Sequence, residues 1–121
     1  MSRILVVDDD PEIRDLLQDC LRAAGHELIF AANGKDAVDL CAAHPVELVI
    51  TDLIMPEKEG LETIQELRAR WPDLKIIAIS GAPTDWKVLE VARKLGAHQT
   101  LAKPFLPDEI LAVVRTVLEK R

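Results

Sequence analysis

Polar residues suited to phosphate chemistry stand at the ends of four short apolar segments of the chain. The segment ILVV runs into Asp8 and Asp9, LVIT into Asp52, KIIAI into Ser80 and TLA into Lys103. If these segments are neighbouring parallel strands, their carboxyl ends share one edge of a sheet. Three carboxylates, a hydroxyl and an ammonium would then meet in one crevice. Such a set suits metal-assisted phosphoryl transfer, because cations offset the charge on the transferring phosphoryl oxygens.

The three carboxylates need a compensating cation. Two like charges 4 Å apart repel by about 4 kcal/mol at an effective dielectric constant near 20, so one carboxyl would otherwise stay protonated. Mg²⁺ prefers oxygen ligands and binds through one or two carboxylates plus a phosphate. We therefore predict a magnesium site at Asp8, Asp9 and Asp52, with Lys103 adding a positive charge. Asp52 is the candidate nucleophile, because it stands alone at its strand end and carboxylates can form aspartyl phosphates.

Five repeats of an apolar strand and an amphipathic helix would position these residues. Apolar, β-branched segments predict strands at 3–7, 27–32, 47–51, 75–79 and 98–102. Asp10 is predicted to cap the first helix, with Pro11 at its first position and Gly25 at its end. Apolar periodicity predicts the later helices over about 35–43, from Gly60 to Trp71, over about 85–95 and from 107 onward. Strands alternating with helices indicate an α/β fold with a parallel sheet covered on both faces.

Length and composition narrow the class of protein. A chain of 121 residues fits one domain, and we expect residues 1–121 to form it with no output domain in this chain. The chain is 49% apolar, but no apolar run approaches the roughly 20 residues that a membrane helix needs. No signal peptide is apparent, so the cytoplasm is the expected location. The formal net charge of −6 argues against a nucleic-acid surface.

Four motifs carry a resemblance to a known family. In order, VVDDDP, TDLIMPEKEG, ISGA and LAKPF resemble the receiver domain of bacterial response regulators, chemotaxis-regulator-like proteins of two-component signalling, from residue 3 to the end of the chain. The resemblance implies a flavodoxin-like, doubly wound sheet of five strands in the order 2-1-3-4-5, with helices on both faces in a three-layer sandwich. It also implies a phosphorylation-activated switch that is not an enzyme, apart from self-catalysed phosphoryl transfer and slow self-dephosphorylation.

The resemblance implies a role for each candidate site residue. Asp52 corresponds to the phosphoacceptor, and Asp8 and Asp9 correspond to the Mg²⁺ acids. The Ile54 backbone carbonyl would be a further metal ligand. Ser80 would provide the switch hydroxyl, and Lys103 would pair with the phosphate. The resemblance also implies a cis peptide bond between Lys103 and Pro104. A cis bond is found at only about 5–6% of X–Pro positions in folded proteins.

The family also implies partners. A sensor histidine kinase or a phosphotransfer protein would supply the phosphoryl group. Output would use the surface of the fourth helix, fifth strand and fifth helix, through a downstream protein or a homodimer. Trp86 lies in the first turn of the fourth helix, off its apolar stripe, and aromatic residues of this kind are common hot spots in interfaces. Trp86 is therefore a candidate contact residue.

Two positions depart from the common receiver pattern. Thr100 stands where many receivers carry an aromatic ring that turns inward with the switch hydroxyl, so we expect no aromatic relay. Ile54 places an apolar side chain where many receivers have a polar one, beside the path of the hydrolytic water. We expect altered dephosphorylation, without a predicted direction.

Two other functions compete with the switch. Thr100 is compatible with a scaffold or phosphate sink whose partner affinity does not depend on phosphorylation. Asp8 and Asp10 form the D-x-D of an aspartate-dependent phosphatase of the haloacid-dehalogenase type. That family needs a further acidic pair at a strand end, whereas Asp108 and Glu109 open a helix here.

Overall fold

The chain forms a five-stranded parallel sheet with helices on both faces. The computed structural model describes residues 2–53, 59–81 and 86–119. The strands are β1 (Arg3–Val7), β2 (Glu27–Ala31), β3 (Leu48–Asp52), β4 (Lys75–Ser80) and β5 (Gln99–Ala102). The helices are α1 (Pro11–Ala23), α2 (Gly34–Ala43), α3 (Glu59–Arg70), α4 (Trp86–Leu95) and α5 (Pro107–Glu119). The strand order is β2-β1-β3-β4-β5, as predicted.

Two apolar layers hold the sheet between its helices. One core cluster joins inward residues of α2, α3 and α4 to one face of the sheet, with Ile64, Leu67 and Ala92 fully buried. The other joins α1 and α5 to the opposite face through residues such as Leu17 and Ile110. The three central strands are buried along almost their whole length, which explains why their sequences are apolar runs without polar alternation.

Helix α1 starts as its sequence predicts. The Asp10 side chain accepts a hydrogen bond from the Glu12 backbone N–H at 3.0 Å, and Pro11 occupies the first helical position. The chain leaves α1 through Gly25, whose φ of 93° lies in the left-handed region that favours glycine. Both ends of α1 are therefore fixed by local sequence.

Gly60 allows α3 to pack directly against the end of β3. A Cβ atom at this position would lie 2.6 Å from the Asp52 backbone oxygen and 2.7 Å from the Leu53 Cα atom. Both neighbours are backbone atoms and have little room to move. The absence of a side chain at residue 60 therefore lets the first turn of α3 approach the Asp52 main chain.

The predicted boundaries hold to within a residue or two, and two of the differences concern candidate site residues at the carboxyl ends of β3 and β4. We predicted that β3 and β4 end before Asp52 and Ser80, but both residues belong to the strands. Asp52 lies opposite Ile79 in the ladder, and Ser80 lies opposite Ala102. Backbone pairing does not require an apolar side chain, so the strands extend beyond their apolar segments. The cis bond between Lys103 and Pro104 is confirmed.

Candidate functional site

Three carboxylates converge at the carboxyl edge of the sheet. Asp8 and Asp9 follow β1, and Asp52 ends the adjacent strand β3. One carboxylate oxygen of each lies within 4.8 Å of the others. Asp8 and Asp52 are buried, with exposed fractions of 1% and 4%, whereas Asp9 is exposed. The structure therefore brings together the three acids that the sequence singled out, and leaves one side of the cluster open to solvent.

Lys103 supplies the positive charge nearest to two of these acids. Its Nζ atom lies 3.1 Å from Asp52 Oδ2 and 3.1 Å from Asp8 Oδ2. Burial lowers the pKa of Lys103, but the hydrogen bond to Asp52 and the charges of both acids more than offset that effect, so its pKa is raised. The ammonium is therefore charged at neutral pH and bridges the ends of β1 and β3.

Asp8 is held in place through several of its polar atoms. Its Oδ1 atom accepts the Asp10 backbone N–H at 2.9 Å, and its own N–H donates to the Ala31 carbonyl at 3.2 Å. Its Oδ2 atom is buried with no well-directed hydrogen bond among the described residues, although the Lys103 ammonium is within ion-pair distance. A buried, under-satisfied carboxylate oxygen marks a place for a further electropositive partner.

The raised pKa of Asp8 also indicates that this carboxylate needs a further cation nearby. Burial raises the pKa of the Asp8 carboxyl; the Asp10 N–H opposes this effect, and repulsion from Asp52 adds to it. The carboxylate form is thus less favourable here than in water. The donor set is all oxygen, two of the acids are buried and one is open, which fits a hard divalent cation such as Mg²⁺ better than a soft one.

Ser80 lies where the sequence placed it, at the end of β4. The side chain is buried, with 2% exposed, and its hydroxyl donates to the Gly81 carbonyl at 3.4 Å. The Lys103 backbone N–H donates to the Ser80 carbonyl at 2.7 Å, which ties the ends of β4 and β5 together. Ser80 is one residue beyond the ladder partner of Asp52, so it borders the same crevice.

Some predicted features lie outside the described residues. These are the side chain and backbone carbonyl of Ile54 and the side chain of Trp86. Thr100 is described: it is half-buried in β5, opposite Ala78 of β4. The aromatic ring that many receivers carry here is replaced by a short polar side chain.

One contact at the site was missed by sequence reasoning. Arg14 on α1 donates from Nε to the Asp8 carbonyl at 2.6 Å, and its guanidinium carbon lies 5.6 Å from the centroid of the Phe30 ring. In the sequence Arg14 resembles any polar residue on an amphipathic helix. No pattern in the printed sequence distinguishes it from the other arginines on the helices.

A large cavity in the described part of the chain is remote from the carboxylates. It has a volume of about 750 Å³ and lies at the amino ends of the strands, where Cys41, Trp71 and Leu118 contribute to its wall. Burial raises the pKa of the Cys41 thiol to about 11, which disfavours the reactive thiolate, and Cys20 and Cys41 are both free. None of the described residues that line the cavity belongs to the acid cluster.

Comparison with known proteins decides the family. Residues 4–115 match the family model described as the response regulator receiver domain. The chain belongs to this family. The receiver domain is 37% identical over 120 residues to response regulator MprA of Mycolicibacterium vanbaalenii, covering 98% of this chain and 51% of MprA.

Solved structures agree on the fold. The receiver domain of NtrX from Brucella abortus has a TM-score of 0.91 at 31% identity, covering 98% of this chain and 99% of that one. The chemotaxis protein CheY4 of Vibrio cholerae has a TM-score of 0.88 at 28% identity, covering 97% and 98%. This receiver domain spans about half the length of the curated relatives that it matches. None of its described helices is both long and apolar enough to cross a bilayer.

The charge of Asp8 leads to a prediction about stability. Because its pKa is raised on folding above the ordinary value of 3.8, the folded state binds this proton more readily than the unfolded state. The free energy of unfolding of the metal-free protein should therefore fall as the pH rises from 3.8, the ordinary pKa, through the raised pKa of folded Asp8. We expect Asp8→Asn to melt at a higher temperature than wild type in a chelator at neutral pH, with the difference shrinking in acid.

Magnesium should reverse the order of the two proteins. At 100 times its Kd a ligand stabilises the folded state by about 2.7 kcal/mol, and the Asn variant lacks one of the three candidate carboxylate ligands. Thermal melts with chelator and with Mg²⁺ measure both effects, and Asp19→Asn on the exposed face of α1 is the matched control. An Asp8→Asn variant that melts below wild type in chelator at neutral pH would contradict this assignment of charge.

Proposed function

We propose that this receiver domain is a phosphorylation switch whose phosphoacceptor is Asp52. The observation that carries the proposal is the position of the Lys103 ammonium, 3.1 Å from carboxylate oxygens of both Asp8 and Asp52. A cation at that point would pair with a phosphoryl oxygen carried by Asp52. The family of the chain supports the same role.

In the proposed reaction the Asp52 carboxylate attacks phosphorus. A P–O bond forms to Asp52 while the P–N bond of a phosphohistidine donor breaks, and the leaving imidazole nitrogen takes the electron pair and a proton from solvent. Asp8, Asp9 and Asp52 would hold Mg²⁺, which when bound supplies charge that offsets the phosphoryl oxygens. The remaining charge compensation comes from Lys103.

Ser80 is proposed to report the phosphoryl group to the rest of the domain. In the structure its hydroxyl donates to Gly81 over a long 3.4 Å contact, which is a weak hydrogen bond. A phosphoryl oxygen on Asp52 would be a charged and stronger acceptor. Because the Ser80 carbonyl accepts the Lys103 N–H, movement of Ser80 would be transmitted to the start of the segment between β5 and α5.

The face formed by α4, β5 and α5 is the proposed output surface. Among the described residues the exposed large hydrophobic side chains are Val91 on α4, 41% exposed, and Leu106 just before α5, 67% exposed. Exposed apolar side chains near a polar rim are typical of protein interfaces. The net charge of −6 favours a protein partner over nucleic acid for this domain. A partner protein or a second copy would read this face.

Hydrogen exchange tests the switch against the scaffold alternative. With acetyl phosphate and Mg²⁺, we expect altered amide exchange in the peptides of α4 and β5, because a two-state element shifts its population. Peptides of α2 should be unchanged, and Asp52→Asn treated identically should show no change anywhere. If the wild-type adduct forms fully but exchange in α4 and β5 stays the same, the phosphorylation-independent scaffold is favoured instead.

A further inference from the structure

The turn between β1 and α1 carries two of the proposed metal ligands, and its shape depends on the Asp8 main chain. Asp8 is fixed from β2 through the Ala31 carbonyl and from the turn through the Asp10 N–H. The Asp8 backbone carbonyl accepts a third hydrogen bond, from Arg14 Nε at 2.6 Å. A charged donor at that distance makes a strong hydrogen bond.

Arg14 is itself held in a defined position. It lies in the first turn of α1, where its backbone N–H donates to the Asp10 carbonyl at 3.1 Å. Side chains of a helix lean toward its amino end, so the guanidinium extends back toward the end of β1. Its carbon atom lies 5.6 Å from the centroid of the Phe30 ring on β2, within the range of a cation–π contact. The residue is half-buried rather than free in solvent.

We propose that Arg14 is a positioning residue of the metal site. By fixing the Asp8 carbonyl against β2 and α1, it sets the turn so that one carboxylate oxygen each of Asp8 and Asp9 lies within 4.8 Å of an Asp52 oxygen. Arg14 does not touch the metal or the phosphoryl group. The inference rests on the proposed function, because it concerns the same magnesium site.

The sign of the effect on Mg²⁺ affinity separates positioning from electrostatics. Removing a positive charge beside an acid cluster should strengthen cation binding if Arg14 acts only through its charge. If Arg14 positions the turn, Arg14→Gln should weaken Mg²⁺ binding by about tenfold, the effect seen for partners that orient metal ligands. Calorimetric titration of the purified chain with Mg²⁺ gives the affinity without any phosphoryl transfer.

The dependence of the phosphorylation rate on Mg²⁺ concentration provides a second test. The rate of adduct formation from acetyl phosphate should fall in Arg14→Gln at limiting Mg²⁺ and recover at saturating Mg²⁺. A variant whose carboxylates are intact but poorly placed behaves in this way. General damage to the fold would lower the rate at every Mg²⁺ concentration.

One control variant and two further test variants accompany Arg14→Gln. Arg22→Gln makes the same charge change in the exposed last turn of α1 and should bind Mg²⁺ as wild type does. Arg14→Lys keeps a donor but loses the planar group over the ring, so its affinity should lie between wild type and Arg14→Gln. Phe30→Leu keeps an apolar side chain and removes the ring, so it should weaken binding in the same direction; it tests the inference if Arg14→Gln fails to fold.

Two outcomes are distinguishable. If wild type binds Mg²⁺ and both Arg14→Gln and Phe30→Leu bind it as tightly as Arg22→Gln, or more tightly, the positioning role is wrong while the proposed function stands. If wild type shows no Mg²⁺ binding, the proposed metal site fails, and the role of Arg14 fails with it.

Discussion

Asp52→Asn is expected to lose phosphoryl uptake from acetyl phosphate almost completely, by at least about 10³-fold in rate. The substitution keeps the size and shape of the side chain but replaces a nucleophilic carboxylate oxygen with an amide, and removing a nucleophile commonly costs this much or more. Asp52 is 4% exposed and ends the central strand β3, so its main chain is fixed in the sheet. Intact-mass measurement of the phosphoryl adduct over time gives the rate directly.

The control for Asp52→Asn is an equivalent change at the opposite end of the sheet. Asp73 is exposed and lies just before β4, at the amino edge. Asp73→Asn should form the adduct at the wild-type rate. Uptake by Asp52→Asn at a rate close to that of Asp73→Asn would assign the phosphoryl group to another residue.

Lys103→Met should separate phosphoryl transfer from metal binding. Loss of a charged donor aimed at developing negative charge typically lowers a rate by about 10²–10³-fold, and we expect a fall of that size in adduct formation. Mg²⁺ affinity should stay the same or rise, because a cation that competes for Asp8 and Asp52 has gone. Calorimetry and intact mass on the same preparation measure both quantities.

The same substitution should also destabilise the metal-free protein. It leaves two buried carboxylates without their shared ammonium, and breaking a buried ion pair costs about 3 kcal/mol or more. Lys103 is largely buried, with 16% of its side chain exposed, so solvent screens the pair only weakly. Lys35→Met on the exposed surface of α2 is the matched control. A wild-type rate in Lys103→Met would rule out a role for the ammonium, and loss of Mg²⁺ binding would mean that it acts through the metal site.

Much of the site was predictable because parallel strands impose a simple geometry. Their carboxyl ends share one edge, so Asp8, Asp52 and Lys103 were expected on that edge once the strands were recognised. Their closeness depends in addition on the strand order β1-β3-β4-β5. The extent of burial was not predictable in the same way. Asp8 and Asp9 are consecutive acids, and which of them faces the protein interior depends on where β1 stops relative to β2 and β3. The sequence shows two equivalent acids, whereas the structure has one buried and one exposed.

Arg14 shows a second limit of sequence reasoning. Its contacts join α1 to the end of β1 and to Phe30 on β2. They depend on β2 lying beside β1, which is a property of strand order and not of helical periodicity. Side-chain contacts between elements that are distant in sequence need this tertiary information. Local signals such as the Asp10 cap need only neighbouring residues, and the sequence predicted that cap correctly.

The most direct test of the account is the chemical identity of residue 52 after treatment with acetyl phosphate. Borohydride reduces an acyl phosphate to an alcohol, so the peptide containing Asp52 should carry homoserine at that position after reduction. We predict this product with Mg²⁺ present and its loss when a chelator is added. Homoserine at another aspartate, or equal yields with Mg²⁺ and with chelator, would contradict the account.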